Sequence, residues 1–385
     1  MKNNKALMTI FLIVFIDLLG FGIILPLLPY IGEKYGANPL VIGFLTASYS
    51  FFQFVASPIL GKLSDRYGRK KILIISQLGS AFGYVLLGVA GSLPLLFLSR
   101  IIDGITGGNI SIAQAYIADV TDNKNRAKGM GLIGAAFGLG FIFGPAIGGA
   151  LSKFGYIYPA LFATVISLIS VIMTAFFLKE TVNVKKTIHS KDEKLALFEF
   201  KKFINFYPIN LYILIFFVLN LAFSLFQGNF ALWAERALGL GPTHNGLLFS
   251  YMGILIVITQ LKILPVMIKK YKEKMLLKIG VILLAVGLFS LVGVNSILFL
   301  YITFIFIALG NGLVNPAIQA LASENVKPEE YGGVLGILQS AGSLGRIIGP
   351  IVGGELFFVL GKSSPFIASS VVVFGAAVIV FLMKA

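Results

Sequence analysis

One acidic residue, Asp17, stands in the middle of a long apolar run near the start of the chain. The charged form of a carboxyl group is unfavourable among apolar residues, so such a position calls for a functional reason. A carboxyl group in this setting can serve as a group that binds and releases a proton. The alternative interpretation is a neutral Asp17 that bonds to its own helix.

A second pair of ionisable residues, Arg100 and Asp103, lies within another apolar run. They are three positions apart in the sequence, so in a helix both side chains project from one face. Two interpretations stand side by side. The two residues form a buried pair of structural use, or Asp103 is a second site that takes up a proton.

Other kinds of chemistry are excluded by residue type. The chain has no Cys, which rules out disulfides, thiolate metal sites and cysteine nucleophiles. His189 and His244 lie in or beside predicted loops, so a histidine relay inside apolar runs is excluded. There is no phosphate-binding loop and no nucleophile–base or metal-ligand constellation. We therefore predict a protein without cofactor or metal that is not an enzyme.

The elements that position these residues are membrane helices. The 385 residues are 57% hydrophobic and only 12% charged, whereas a soluble domain carries about 25% charged residues. A membrane span needs about 20 mostly apolar residues, and twelve such runs follow one another, six within 6–178 and six within 209–383. The sequence predicts an all-α membrane protein with 12 transmembrane helices in two six-helix bundles.

Basic residues mark one side of this predicted membrane protein. Of the 31 Lys and Arg residues, 24 fall in alternate connections that share one side of the membrane, and only four fall on the other. The excess identifies the cytoplasmic side. We therefore predict a multi-pass protein of the inner or plasma membrane with both termini in the cytoplasm. The net charge of +15 lies in these short connections, so nucleic acid is not the predicted partner.

The two halves of the chain repeat each other. Shifted by 205 residues, the run Gly144–Gly149 (GPAIGG) lands on Gly349–Gly354 (GPIVGG), and Gln114 lands on Gln319. A constant offset of this kind indicates duplicated bundles. We predict an N-terminal bundle over residues 1–178, a cytoplasmic linker over 179–208 and a C-terminal bundle over 209–385.

The connection between the second and third predicted spans reads GKLSDRYGRKK over residues 61–71. It resembles, position for position, the signature loop of the major facilitator superfamily. That resemblance implies a loop that latches the two halves in the outward-facing state. Asp65 would accept bonds from amides at a helix N-terminus and Arg69 would pair across the bundle interface; the alternative is a simple positive anchor. The implied latch residues are Gly61, Asp65, Arg66, Gly68, Arg69, Asp119 and Arg126.

Two further motifs narrow the resemblance to the drug:proton antiporters, a family that includes the tetracycline and multidrug exporters. Asp17, followed by glycines and by Pro26 and Pro29, resembles their first span, and Arg100 occupies a position linked in them to proton coupling. Asp103 departs from the pattern, which has a neutral residue there. The fifth span resembles their antiporter motif, although helix packing alone would also use its glycines; its residues are Gly140, Gly144, Pro145, Gly148 and Gly149.

Polar side chains within spans usually face the bundle interior. The candidates for a central cavity could contact substrate or bond to a neighbouring helix. They are Tyr49, Gln53, Asn109, Gln114, Gln227, Tyr251, Asn311, Asn315 and Gln319.

These patterns predict a proton-coupled exporter of small amphiphilic organic compounds that works by alternating access. Asp17, Arg100 and Asp103 would couple export to protons, and the protein would function as a monomer in the lipid bilayer. A nearer alternative is an exporter of a native metabolite such as a sugar, an amino acid or a glycolipid. A more remote one is a membrane receptor that does not transport.

Overall fold

The computed structural model describes residues 2–121, 123–182, 203, 206–327 and 330–383. Within these ranges twelve helical stretches are long and apolar enough to cross a membrane. The predicted fold class is therefore confirmed. We number the stretches as spans 1 to 12, in order Lys5–Lys34, Pro39–Tyr67, Arg69–Gly88, Leu93–Val120, Gly129–Phe154, Ile157–Phe177, Ile209–Leu238, Pro242–Lys270, Glu273–Gly293, Ile297–Glu324, Gly333–Leu360 and Ser364–Leu382.

Three spans are interrupted helices. Span 1 runs from the helix Lys2–Ile24 through a 3-10 turn into the helix Leu28–Lys34, where prolines without a backbone N–H prevent a continuous ladder. Span 4 consists of Leu93–Thr106 and Asn109–Val120. In span 8 a π-helical turn separates two helices, which are Pro242–Ile258 and Leu264–Lys270.

The other spans are built on single helices. Spans 5, 9 and 11 correspond to Asn123–Leu151, Glu273–Ser290 and Tyr331–Leu360, and the first two of these end in a 3-10 turn. The helices of spans 2, 3, 6, 7, 10 and 12 have the bounds of the spans themselves.

The chain divides into two compact units. The first unit comprises Met1–Ala37, Ser48–Ser190 and Gly241–Ser250. The second comprises Asn38–Ala47, Lys191–Leu240 and Tyr251–Ala385. Of the linker predicted over 179–208, residues 183–202, 204 and 205 lie outside the described part of the chain.

Helix pairing within each unit follows the same scheme. In the first unit span 1 packs on spans 5 and 6, and span 3 packs on spans 4 and 6. In the second unit span 7 packs on spans 11 and 12, and span 9 packs on spans 10 and 12. The pairs correspond after a shift of six spans, which agrees with the repeat seen in the sequence.

Glycine permits a close contact between spans 1 and 5. A Cβ atom added to Gly22 would lie 2.7 Å from the carbonyl oxygen of Gly140, and one added to Gly144 would lie 2.7 Å from the carbonyl carbon of Gly22. Only residues without a side chain allow two membrane helices to approach so closely. The contact holds span 1, and with it Asp17, against the rest of the first unit.

Candidate functional site

The site is built around the break in span 4. The break takes the backbone carbonyl groups of Thr106 and Gly107 out of the regular helical ladder, and in a membrane such groups need other partners. The Thr106 carbonyl accepts from the backbone N–H of Gly108 at 2.9 Å. The Ser76 hydroxyl donates to the Thr106 carbonyl, and the Gln53 side-chain amide donates to the Gly107 carbonyl at 2.9 Å. Spans 2 and 3 thereby fix the position at which the second half of span 4 begins.

Asn109 is the first residue of that second half, and it binds Asp17. Its Nδ2 donates to the Asp17 Oδ1 at 2.6 Å, and the Asn109 side chain is almost fully buried. A carboxyl group can accept a hydrogen bond from an amide whether it is ionised or protonated, so this bond can hold the Asp17 side chain in one orientation in both states. The predicted proton-coupling residue of span 1 is thus joined to a predicted cavity residue of span 4.

Aromatic rings lie beside this carboxyl group. The ring of Phe21, one helical turn after Asp17, lies 5.1 Å from the ring of Tyr49 and 6.4 Å from that of Phe141. All three are partly exposed, and the Gln53 amide donates to the Tyr49 hydroxyl at 2.9 Å. Three spans of the first unit therefore place an acidic group, an amide and an apolar wall close to one another.

Arg100 and Asp103 form a buried ion pair. Arg100 Nη1 lies 3.0 Å from Asp103 Oδ2, and both side chains are 2% exposed. The Ser80 hydroxyl also hydrogen-bonds Asp103, and the guanidinium carbon lies 5.8 Å from the centre of the Tyr84 ring. The two buried charges compensate each other, and this geometry fits both a pair of structural use and a second proton site at Asp103.

Tyr84 connects this pair to span 1. Its side chain is 3% exposed, and its hydroxyl would lie 3.0 Å from a Cβ atom added to Gly20, three residues after Asp17. The side chain thus extends from the guanidinium group of Arg100 to the helix that carries Asp17. The two predicted proton-coupling groups therefore belong to one packed region of the first unit.

The predicted latch residues meet at the other end of span 4. Arg69 forms ion pairs with Asp65 and with Asp119, with 3.1 Å between Nε and Oδ2 in the second pair. Its Nη1 also donates to the Ser64 hydroxyl at 2.7 Å. The pairing joins the start of span 3 to the end of span 4 within the first unit.

The helix N-terminus of span 3 is capped by Glu180, which follows span 6. Its carboxylate accepts hydrogen bonds from the backbone N–H groups of Arg69, at 2.9 Å, and Lys70, at 3.1 Å. A carboxylate at this position also compensates the positive end of the helix dipole. Gly68, at φ 105°, makes the turn that a side chain would strain.

The other predicted latch residues make fewer contacts or lie at the surface. The Thr181 hydroxyl donates to Asp119 at 2.9 Å, which ties the segment after span 6 to the same cluster. Arg66 is exposed and lies over the Tyr67 ring, and a side chain at Gly61 would meet open space. Arg126 lies in the helix Asn123–Leu151, and its side chain is outside the described part of the protein.

The antiporter-motif residues lie on the helix of span 5 and contact two other segments, span 1 and the start of span 8. Gly140, Gly144 and Gly148 face span 1. At the end of the helix, the Thr243 hydroxyl at the start of span 8 donates to the Gly149 carbonyl at 2.9 Å. The carbonyl oxygen of Pro145 lies against Gly246 of the same segment.

The remaining cavity candidates are spread over both units. In the second unit Asn315 Nδ2 donates to Asn311 Oδ1 at 2.7 Å, one turn earlier on span 10, and the Tyr251 ring lies 5.0 Å from that of Tyr301. Gln227 and Gln319 are half-buried and Gln114 is exposed. The structure thus brings together Tyr49, Gln53 and Asn109 around Asp17, and Asn311 with Asn315.

Several residues of the site were not anticipated from the sequence. They are Phe21, Ser64, Ser80, Tyr84, Phe141, Glu180 and Thr181. The adjacent glycines Gly107 and Gly108 within an apolar run carry a usable signal for the break in span 4. No local pattern indicates Glu180, because its partners lie more than a hundred residues earlier in the chain.

The profile of the Major Facilitator Superfamily matches residues 10–292 and 213–385. The chain belongs to this superfamily. It is therefore a multi-pass membrane protein of a transporter superfamily, and the predicted resemblance is confirmed.

Individual relatives cover nearly the whole chain. Multidrug resistance protein 2 of Bacillus subtilis is 30% identical over 92% of this chain and 90% of its own length. The class H tetracycline resistance protein of Pasteurella multocida is 30% identical over 91% of this chain and 88% of its own length. Among solved structures, a bacterial homologue of the human lysosomal transporter Spinster, in an inward-facing and occupied conformation, superimposes with a TM-score of 0.80. At 14% identity, covering 98% of this chain and 95% of the other, it is evidence for the shared fold alone.

Proposed function

We propose that the protein is a proton-coupled secondary active exporter of small amphiphilic organic compounds that works by alternating access. The observation that carries the proposal is the bond between Asn109 and Asp17 at the broken helix of span 4. In transporters, interrupted membrane helices commonly form the substrate and coupling-ion sites.

The charges of the first unit support exchange of substrate for a proton. With Asp17 ionised, the side chains of Asp17, Arg100 and Asp103 carry one net negative charge; with Asp17 protonated they carry none. The Arg100–Asp103 pair is internally compensated, so Asp17 supplies the charge that changes. A proton and a positively polarised group of a substrate would compete for this one carboxylate, and such competition makes the two bind in turn.

The surroundings of Asp17 favour an amphiphilic substrate. The partly exposed rings of Phe21, Tyr49 and Phe141 offer an apolar wall next to the acidic group, and Gln53 and Asn109 offer amide groups. An apolar lining with a few polar groups is typical of sites for small organic ligands. The resistance proteins named above, similar over about nine-tenths of this chain, point to the same class of substrate.

In the proposed cycle the side that is rich in Lys and Arg faces the cytoplasm, so both chain termini lie there. Protons enter from outside, neutralise Asp17 and promote release of substrate to the outside. The loop around Asp65 acts as a latch that engages and releases as the two halves of the chain move, and the cluster of Asp65, Arg69 and Asp119 within the first unit holds that loop in shape. The residues of this cluster would thereby set the balance between outward-facing and inward-facing states.

The proposal is tested with purified protein in proteoliposomes that contain a pH-sensitive dye. After the lumen is made acidic, compounds are added one at a time from a panel of cationic dyes, tetracyclines, sugars and amino acids. We expect an amphiphilic compound to trigger proton movement in the wild type. We expect no such movement in Asp17→Asn, which keeps the size of the side chain and its ability to bond Asn109.

Two variants serve as controls. Asp17→Glu keeps the carboxyl group and should retain measurable exchange, whereas Glu355→Gln removes an exposed acid from span 11 and should behave as the wild type. Proton movement triggered by a sugar or an amino acid alone would favour a metabolite exporter over the proposed substrate class. Flux that requires sodium and moves no proton with any compound would refute the proton coupling.

A further inference from the structure

A groove of about 420 Å³ lies between spans 9 and 12 of the second unit. Its walls are apolar and come from both helices: Ile282, Ala285 and Val286 on span 9, and Phe374, Val378 and Phe381 on span 12. Phe374 is 66% exposed and Phe381 50%. This volume is in the range of sites for small molecules. The side chains that line the groove lose van der Waals contacts unless hydrocarbon fills it.

Two lysines stand at one end of this groove. Lys274 and Lys278 are one turn apart near the start of span 9, on the same helical face as Ile282. The Lys278 Nζ lies 4.8 Å from the centre of the Phe381 ring, which is part of the groove wall. The Lys274 Nζ donates to the Met383 carbonyl at 2.6 Å, next to the groove residue Leu382. The groove therefore ends at two ammonium groups.

The surroundings of this end are strongly basic. Between residues 264 and 290 the sequence has five lysines and a single acid, Glu273. Lysines next to a membrane helix attract anionic headgroups, whereas the apolar groove beyond them has no polar group to offer. The groove and the two lysines thus complement a ligand that has a hydrocarbon chain with a negative charge at its end.

We propose that this groove binds one anionic phospholipid. An acyl chain lies between spans 9 and 12, along the roughly 12 Å of helix from Phe374 to Leu382, and the phosphate group lies at Lys274 and Lys278. A zwitterionic phospholipid fits the groove equally well but brings a positive group to the lysines. The charge of the headgroup therefore determines the selectivity for anionic over zwitterionic phospholipids, and the groove binds the acyl chain.

Native mass spectrometry of the purified protein tests this site. The protein is titrated with phosphatidylglycerol and, separately, with phosphatidylcholine of the same acyl chains. We expect one phosphatidylglycerol to remain bound at concentrations at which phosphatidylcholine does not. Each lysine should contribute about fivefold to the affinity, so the double variant Lys274→Gln and Lys278→Gln should lose about 25-fold.

Two matched variants separate the site from general attraction to the surface. The double variant Lys269→Gln and Lys270→Gln removes two lysines from span 8 that do not line the groove, and it should leave the retained lipid in place. Ala285→Phe fills the groove without changing charge and should release the lipid. Val371→Phe adds the same side chain to an exposed position of span 12 outside the groove wall and should not.

The proposal is overturned if phosphatidylcholine and phosphatidylglycerol are retained equally. It is also overturned if both lysine double variants weaken binding to the same extent, because the effect would then be one of surface charge. If the Lys274 and Lys278 double variant does not fold, Lys278→Gln is compared with Lys278→Arg. A fivefold loss in the first and none in the second supports the site, and equal binding by the two contradicts it.

Discussion

The two helical units bury different kinds of side chain in their interiors. The first unit encloses Arg100 and Asp103, each 2% exposed, and holds Asp17 against Asn109 at a broken helix. In the second unit the 205-residue repeat puts Ile305 and Ala308 at the positions of Arg100 and Asp103, and aromatic rings fill the interior. Phe226, Phe230 and Phe304 are fully buried, with centroids 5.1 to 5.9 Å apart, and span 10 is one continuous helix.

This difference separates two tasks between duplicated halves. Buried charges and a broken helix are unfavourable for stability, and they persist where function needs them. A cluster of aromatic rings stabilises its helices without any group that takes up a proton. We propose that the first unit carries the proton chemistry, while the second unit contributes packing and an amide pair on span 10.

Breaking the buried ion pair should have the largest effect on stability. Arg100→Met leaves the Asp103 carboxylate buried without its partner, and such a change costs about 3–5 kcal/mol. We expect little folded protein by size-exclusion chromatography after detergent extraction. The double variant Arg100→Met and Asp103→Leu removes both charges and should recover the folded yield.

The double variant also tests whether the buried pair has more than a structural use. Because transport can be measured on it, loss of proton movement with substrate exchange intact would show that the Arg100–Asp103 pair takes part in proton coupling, and unchanged proton movement would leave the pair with a structural use. A single Arg100→Met variant as stable as the wild type would contradict the account of the first unit as one built around buried charge.

A packing change in the second unit should reduce stability without altering the chemistry. Phe226→Ala removes a ring that contacts Phe230, Phe304 and Phe366, and deletion of a buried ring costs about 3 kcal/mol or more. We expect a lower melting temperature in detergent and, for the folded fraction, an unchanged pH dependence of transport. An altered pH dependence would show that the second unit shares in the proton chemistry.

The smallest expected effect concerns the capped helix of the first unit. Glu180→Ala removes the side chain that binds the backbone N–H groups of Arg69 and Lys70, at a cost of about 1 kcal/mol. Span 9 is the counterpart of span 3 in the second unit; its first turn contains the acid Glu273, and its N-terminus has no side-chain cap. Glu273→Ala should therefore lower the melting temperature less than Glu180→Ala. Equal shifts would mean that the cap adds nothing beyond the helix dipole.

The sequence was sufficient for the spans and for the charged segment around Asp65, although residues 61–67, predicted as part of a connection, extend the helix of span 2 and Gly68 alone separates it from span 3. Both depend on local features: apolar runs long enough to cross a bilayer, and a glycine-rich basic segment of fixed spacing. It was also sufficient to single out Asp17, because a charged residue within an apolar run is conspicuous. These patterns can be recognised in the sequence without knowing which helices are in contact.

What the sequence could not provide were partners between distant helices. That Asn109 binds Asp17, and that Glu180 rather than Asp65 binds the amides at the start of span 3, depends on how spans 1, 4 and 6 pack. The rings of Phe21 and Phe141 could not be told from other phenylalanines, since 35 occur in the chain. Only the packed structure distinguishes a ring beside Asp17 from one that faces lipid.

The most direct test of the central claim compares two modes of transport in the same proteoliposomes. Counterflow exchanges substrate for substrate and requires no net proton movement, whereas uphill accumulation driven by a pH gradient does require it. For Asp17→Asn we predict that counterflow persists at saturating substrate, with weaker substrate binding because the carboxylate is gone, and that proton-driven accumulation is lost. Proton-driven accumulation by Asp17→Asn at the rate of the wild type would contradict the assignment of proton coupling to Asp17.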